Sequence, residues 1–215
     1  MPNYTKFRES FLKEHSNETV YSQIGADYWA LETLGKKREG FFVDVGAHDG
    51  VSFSNTYLLE KEYDWNGICI EPNSTQYKKL NQSRNCYVSN ACVWSENDAV
   101  IKFVEPLNAH FGGIKDNMND VPEARNTVIK KTHTLEFVLD SFGAPAQIDY
   151  LNIDTEGSEY TILKNFPFDK YIFRTISVEH NYEEEKQRNL RTLLEKNGYQ
   201  HVRTILFDDY YINIL

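Results

Sequence analysis

Several short runs in this chain end in residues that do chemistry. Gly40-Phe41-Phe42-Val43-Asp44-Val45-Gly46-Ala47-His48-Asp49-Gly50 reads as a buried strand entering a glycine-bracketed turn. Gly67-Ile68-Cys69-Ile70-Glu71-Pro72 reads as a second strand ending in an acid. A strand, a glycine turn, a helix and a strand-end carboxylate make a nucleoside-binding βαβ unit. The glycines let backbone N–H groups approach a ligand, and the acid accepts hydrogen bonds from ribose hydroxyls. Further on, Asp154-Thr155-Glu156-Gly157 and Glu179-His180-Asn181 each follow an apolar strand.

The turn departs from a dinucleotide site, whose G-x-G-x-x-G fingerprint sets a helix N-terminus against a pyrophosphate. Here the pattern is Asp44-x-Gly46-x-x-x-Gly50. A strand-end carboxylate repels phosphate and suits an ammonium. S-adenosylmethionine (SAM) carries an ammonium, a sulfonium and a ribose, and no phosphate, so the charge logic favours SAM over NAD.

In open α/β sheets ligands bind at the carboxyl ends of the strands. Asp44, Glu71, Asn90, Asp154, Glu179 and His180 collect on that edge. Asp154, Glu156, Glu179 and His180 in one cleft have two chemical uses. They could hold a hard divalent cation, Mg²⁺ or Mn²⁺, through oxygen ligands. They could also supply a general base for an acceptor hydroxyl. Methyl transfer from a sulfonium is a direct displacement that needs acceptor, methyl and sulfur in line, with the hydroxyl proton removed. His48 lies in the glycine turn, His110 in an irregular loop and His133 before a helix.

Length, composition and charge bound the rest. A chain of 215 residues suits one domain, read here as residues 1–215 with a helical cap (1–38) and a Rossmann-like core (40–215). Hydrophobic residues are 40% and charged residues 26%, a soluble globular balance. A net charge of −9 argues against a phosphate-backbone partner. Cys69, Cys86 and Cys92 lack framework spacing and read as reduced core thiols of a cytosolic, cytoplasmic protein. No apolar run reaches membrane-spanning length, and the N-terminus has no signal-peptide core. The oligomeric state is open, a homodimer included.

The elements that must position these residues alternate. Helices are expected at 4–14 and 26–37, and a strand at 41–45. A helix at 54–61, a strand at 67–71 and a helix at 75–81 capped by Ser74 follow, then a strand at 87–93. Val100–Val104 and Thr127–Lys131 read as strands around a polar loop, Pro106 to Arg125, whose length marks it as functional. A helix at 135–142, a strand at 148–153, a helix at 158–164, a strand at 173–179 and a helix at 183–197 come next. Two closing strands, 199–207 and 210–215, turn at Asp208-Asp209. Such alternation predicts a mostly parallel sheet with helices on both faces and one reversed strand.

With these residues assembled, the chain resembles the FkbM family of SAM-dependent methyltransferases. The matching segments are Ser22-Gln23-x-Gly25-x-Asp27, Phe42 to Gly50, Ser54-Asn55-Thr56, Trp65-x-Gly67-x-x-x-Glu71-Pro72-Asn73, Thr134-Leu135, Ile148 to Asp154-x-Glu156-Gly157-x-Glu159, and Gly198-Tyr199. The resemblance implies a class I, Rossmann-like three-layer sandwich with a seven-stranded sheet and an antiparallel last strand. It implies SAM as donor and a hydroxyl acceptor, commonly on a sugar or polyketide. It places Asp44, Gly46 and Gly50 at the donor's methionine side, Glu71 at the ribose and Asn90-Ala91 at the adenine edge. Ala47, His48, Ser54, Pro72 and Asp154 complete the expected donor-binding set. Sugar O-methyltransferases of related architecture use a divalent metal at the strand ends, which carries over to Asp154, Glu179 and His180. The expected activity is SAM-dependent O-methylation of a sugar hydroxyl in a glycan or nucleotide sugar. The alternatives are a polyketide, phenol or phosphoramidate acceptor, or a non-catalytic SAM-binding module.

Overall fold

A computed structural model describes residues 4–14, 19–106, 113–114 and 125–215. The expected loop from Pro106 to Arg125, His110 included, lies for the most part outside the described residues. In chain order the helices are α1 (Tyr4–Glu14), α2 (Ala26–Thr33), α3 (Tyr57–Tyr63), α4 (Ser74–Ser83), α5 (Leu135–Ser141), α6 (Glu159–Leu163) and α7 (Glu184–Lys196). The strands are β1 (Phe41–Val45), β2 (Asn66–Ile70), β3 (Tyr87–Ser89), β4 (Cys92–Val93), β5 (Val100–Pro106) and β6 (Gly113–Ile114). They continue with β7 (Arg125–His133), β8 (Gln147–Ile153), β9 (Ile172–Glu179), β10 (Tyr199–Ile205) and β11 (Asp208–Asn213).

Seven strands form one sheet in the order β10-β11-β9-β8-β1-β2-β3. β11 runs antiparallel to β9 and β10, and the remaining pairs are parallel. The period-2 alternation of the central strands feeds two cores. Val43, Val45, Leu151 and Ile153 pack with Leu139, Leu163 and Leu190 on one face. Phe42 and Tyr150 pack with Ala30, Leu59 and Trp65 on the other. The helix α2 is part of that second layer, with Trp29 edge-on to Tyr210 at 4.7 Å. Among the described residues no helix is long and apolar enough to cross a membrane.

Four expectations shift. The strand expected at 87–93 divides, and its second half, β4, joins a separate sheet ordered β4-β7-β5-β6. Helix α3 starts at Tyr57, because the Ser54 hydroxyl accepts the Tyr57 amide at 3.1 Å and holds 54–56 in a turn. Asn73, not Ser74, caps α4, accepting from the Thr75 and Gln76 amides. The final turn is Leu206-Phe207, with Leu206 in the left-handed region (φ 53°). Asp208 and Asp209 therefore begin β11 rather than form the turn.

A buried polar chain crosses the face beneath α2, α3 and α4. The Arg84 guanidinium donates to Glu60 at 2.6 Å, to the Gly50 carbonyl at 3.2 Å and to the Thr56 hydroxyl at 3.1 Å. Thr56 donates to Asp44 Oδ2 at 2.7 Å, and Asn152 Nδ2 donates to Asp44 Oδ1 at 2.9 Å. Ser177 in turn donates to Asn152 Oδ1 at 2.7 Å and bonds the Tyr150 hydroxyl at 2.7 Å. Removing one member of a buried ion pair strands its partner in low dielectric. Arg84→Met should therefore lower unfolding free energy by about 3–5 kcal/mol in a denaturant titration; an unchanged midpoint would show that the chain carries no stability.

Candidate active site

The carboxyl ends of β1, β2, β8 and β9 open into a cavity of about 510 Å³. Asp44, Gly46, Ala47, His48, Ser54, Glu71, Pro72, Ala91, Asp154, Glu156 and Glu179 all line it. Gln23 and Ile24 wall it from the segment before α2, while Phe103 and Ile114 wall it from the second sheet. The first of these walls is tied down locally. Asp27 accepts the Tyr21 and Ser22 amides at 2.8 and 3.1 Å, and Arg8 donates to the Ser22 and Gln23 carbonyls.

The glycine turn is shaped by close approach. Gly46 has φ 94°, and a Cβ there would lie 1.7 Å from the Asp154 carbonyl oxygen. Only glycine lets β1 and β8 end this close together. Gly50 packs against Leu80, Ser83 and Arg84 of the α4 end. The turn amides are not aimed at the cavity: Gly46 and Ala47 donate to the Ile70 carbonyl at 2.9 and 3.0 Å. The His48 amide donates to Glu71 Oε2 at 2.9 Å, and the Asn73 amide to Glu71 Oε1 at 2.7 Å. These amides serve β2 and its acid, so the turn forms no phosphate nest.

The cavity is acidic. Burial pushes Glu71 up to about 7. Asp154 rises to about 6 through burial and the neighbouring Glu159. Glu156, in a left-handed conformation (φ 56°), rises to about 8 through burial and Asp154. Glu179 and Asp208 both go well above the usual carboxylate range, through burial and then Asp154. Asp154 shares a hydrogen bond with Glu179. Beneath them the fully buried Glu159 accepts the Thr155 and Gly157 amides at 2.8 and 3.1 Å and pairs with Lys186 at 3.1 Å.

Three expected residues stand elsewhere: Gly50, which faces the end of α4, His180 and Asn90. The His180 ring is buried among α7 and β11, where Nδ1 accepts the Tyr182 amide at 3.2 Å and Nε2 lies 3.4 Å from Gln187 and 3.9 Å from Asp209. Burial lowers its pKa, and the ring does not join Asp154 and Glu179. The carboxylate that does join them is Glu159, with ligand atoms of all three within 4.8 Å of one another. Asn90 is exposed and lies on a separate outer depression with Lys130, His133 and Phe137. Sequence reasoning missed Asp208 as a cavity residue and Glu159 as the acid under the cluster. Their signals were the alternation Asp208-x-Tyr210-x-Ile212 and the Asp154-x-Glu156-x-x-Glu159 spacing.

A parallel sheet with one inserted reversed strand, a glycine turn after β1 and acids after β2 and β8 define a Rossmann-like class I methyltransferase. The Methyltransferase FkbM domain model matches residues 44–201, and the chain belongs to that family. Among solved structures, it is similar to the methyltransferase FkbM from Methylobacillus flagellatus KT, with a TM-score of 0.52 and 14% identity. That match covers 81% of this chain and 43% of the other, so this chain spans less than half of that protein's length. It is also similar to the METTL16 methyltransferase domain, with a TM-score of 0.54 and 12% identity over 92% of this chain and 69% of the other. At these identities the likeness is one of fold. No curated protein matches the sequence significantly.

The raised carboxylates set the sign of the pH dependence. The folded protein holds their protons more tightly than the unfolded chain, whose acids titrate near about 4. That stabilisation is complete below about pH 4 and is lost as pH rises through 6 to 8. The ligand-free protein should therefore melt at least about 3 °C lower at pH 8.5 than at pH 6; a higher Tm at pH 8.5 would contradict the assignment.

Proposed function

We propose that this protein transfers the methyl group of SAM to a hydroxyl of a carbohydrate, in a glycan or a nucleotide sugar. The observation that carries this reading is the cluster of proton-holding carboxylates at the ends of β8 and β9, next to the glycine turn after β1. Glu71, with each oxygen steadied by one backbone amide, keeps lone pairs for the ribose hydroxyls. The turn residues Gly46, Ala47 and His48, with the Asp44 charge behind them, suit the donor's cationic methionine end. Ala91, Phe103 and Ile114 offer an apolar wall for the adenine. SAM, when bound, supplies a sulfonium-activated methyl group for direct displacement.

The chain's own task is then to hold the acceptor in line and take its proton. A general base works best with a pKa near the working pH. Asp154, at about 6, is ionised at neutral pH and fills that role. Glu156, at about 8, and Glu179 keep their protons there and hydrogen-bond to neutral hydroxyls. The trio Asp154, Glu159 and Glu179 offers hard oxygen donors of the kind Mg²⁺ or Mn²⁺ takes. Glu159, however, is already neutralised by the buried Lys186 ammonium and saturated by backbone amides. The trio fits a divalent ion poorly, and proton removal falls to Asp154. The acidic cavity and the net charge of −9 also disfavour a nucleic-acid acceptor.

The test is methyl transfer from labelled SAM to a panel of glycosides and nucleotide sugars between pH 5 and 8.5, with and without chelator. Turnover should rise with pH through about 6 and be indifferent to chelator. Asp154→Asn should lower kcat by about 10²–10⁴-fold while SAM affinity stays within a few-fold. Full activity in that variant would remove Asp154 as the base. Transfer to phenols or polyketides but to no sugar would replace the acceptor class.

A further inference from the structure

The β10–β11 turn contributes a further wall of the cavity. Phe207, from the final two-residue turn, and Asp208, the first residue of β11, both line it. Asp208 is the cross-strand partner of Glu179. Each of these acids is only 7% exposed. Among the described residues Glu179 Oε2 and Asp208 Oδ1 have no hydrogen-bond partner. A buried carboxylate oxygen without a donor costs stability, and a fold gains nothing by keeping two side by side. Such groups persist where a ligand brings the donors.

The surroundings narrow the ligand. The ammonium of Lys186 is engaged with Glu159. Phe207, next to Asp208, presents an aromatic ring to the cavity and is braced edge-on by Tyr182, with centroids 6.1 Å apart and planes at 86°. Two neighbouring carboxyl groups, each with an unpartnered oxygen, beside an aromatic ring match a molecule with several hydroxyls around an apolar ring face. A pyranose has that pattern, whereas a phenol or a polyketide alcohol offers a single donor at the reacting point.

We propose that Asp208 and Glu179, with Phe207, form an acceptor subsite that binds two neighbouring hydroxyls of a sugar ring. The proposal rests on the methyl-acceptor reading above and adds the residues that select the acceptor. Asp208 and Phe207 determine specificity and take no part in proton removal. Loss of Asp208 removes a buried acid with an unpartnered oxygen, so the substitution does not threaten the fold.

Saturation-transfer NMR tests this with the full chain loaded with S-adenosylhomocysteine and the methyl glycosides of glucose, galactose, mannose and rhamnose as probes. At least one glycoside should show transfer to its ring protons in the unsubstituted protein. Asp208→Ala and Phe207→Ala should each weaken that binding at least ten-fold, with Asp208→Asn, which keeps one acceptor oxygen, in between. S-adenosylhomocysteine affinity should stay within two-fold in all three, and Tm should not fall in the Asp208 variants. Absence of binding by every glycoside, or binding unchanged in Asp208→Ala and Phe207→Ala, overturns the proposal. Glycoside binding that depends on Asp208 without methyl transfer from SAM would uphold the subsite and discard the reaction proposed above.

Discussion

Two hydrogen-bond chains converge on one buried carboxylate, and the site is arranged around that convergence. From one side Arg84 donates to Thr56 and Thr56 to Asp44. From the other, Ser177 donates to Asn152 and Asn152 to Asp44. Asp44 is the terminal acceptor of both. Burial raises its pKa, while Thr56, the Arg84 charge and Asn152 act in the opposite direction. Both of its oxygens accept hydrogen bonds, which favours the ionised form under the glycine turn. The same chains tie β1 to β8, β9 and the end of α4.

Around that anchor the protein keeps two kinds of acid. Asp44 and Glu159 are saturated by donors and act as structural charges. Asp154, Glu156, Glu179 and Asp208 crowd one another and hold protons at unusually high pH, and Glu179 and Asp208 each keep a buried oxygen without a partner. Like-charged groups in a dry pocket cannot all ionise, and the first to do so becomes a base. The division follows the backbone. Saturated acids sit where strand or loop amides point at them, and the undersupplied ones sit where the strands open into the cavity.

Much of this was legible in the sequence because it rests on local rules. The apolar runs of β1, β2, β8 and β9 are buried on both faces and read as strands without ambiguity. Each is followed by a polar residue at the edge where open sheets bind ligands, which picked out Asp44, Glu71, Asp154 and Glu179. What failed depended on side-chain direction or on distant partners. His180 and Glu179 are adjacent in sequence, but only Glu179 turns into the cavity while His180 turns toward Asp209. Asn90 looked like a strand end, but the chain leaves the sheet there and exposes it. Asp208 was hidden because Asp-Asp is a common turn pair, and only pairing with Glu179 shows it to be a strand residue. The turn amides were expected to face a ligand, yet a carbonyl of the neighbouring strand, Ile70, takes two of them.

One donor molecule should span the cavity, with its ribose on Glu71 and its sulfonium beside the β8–β9 acids. A crystal structure with S-adenosylhomocysteine bound tests it most directly. The expected result is ribose hydroxyls bonded to the Glu71 carboxylate and the sulfur facing the Asp154–Glu179 side of the cavity. A ligand whose ribose avoids Glu71, or whose sulfur points away from those acids, would contradict it.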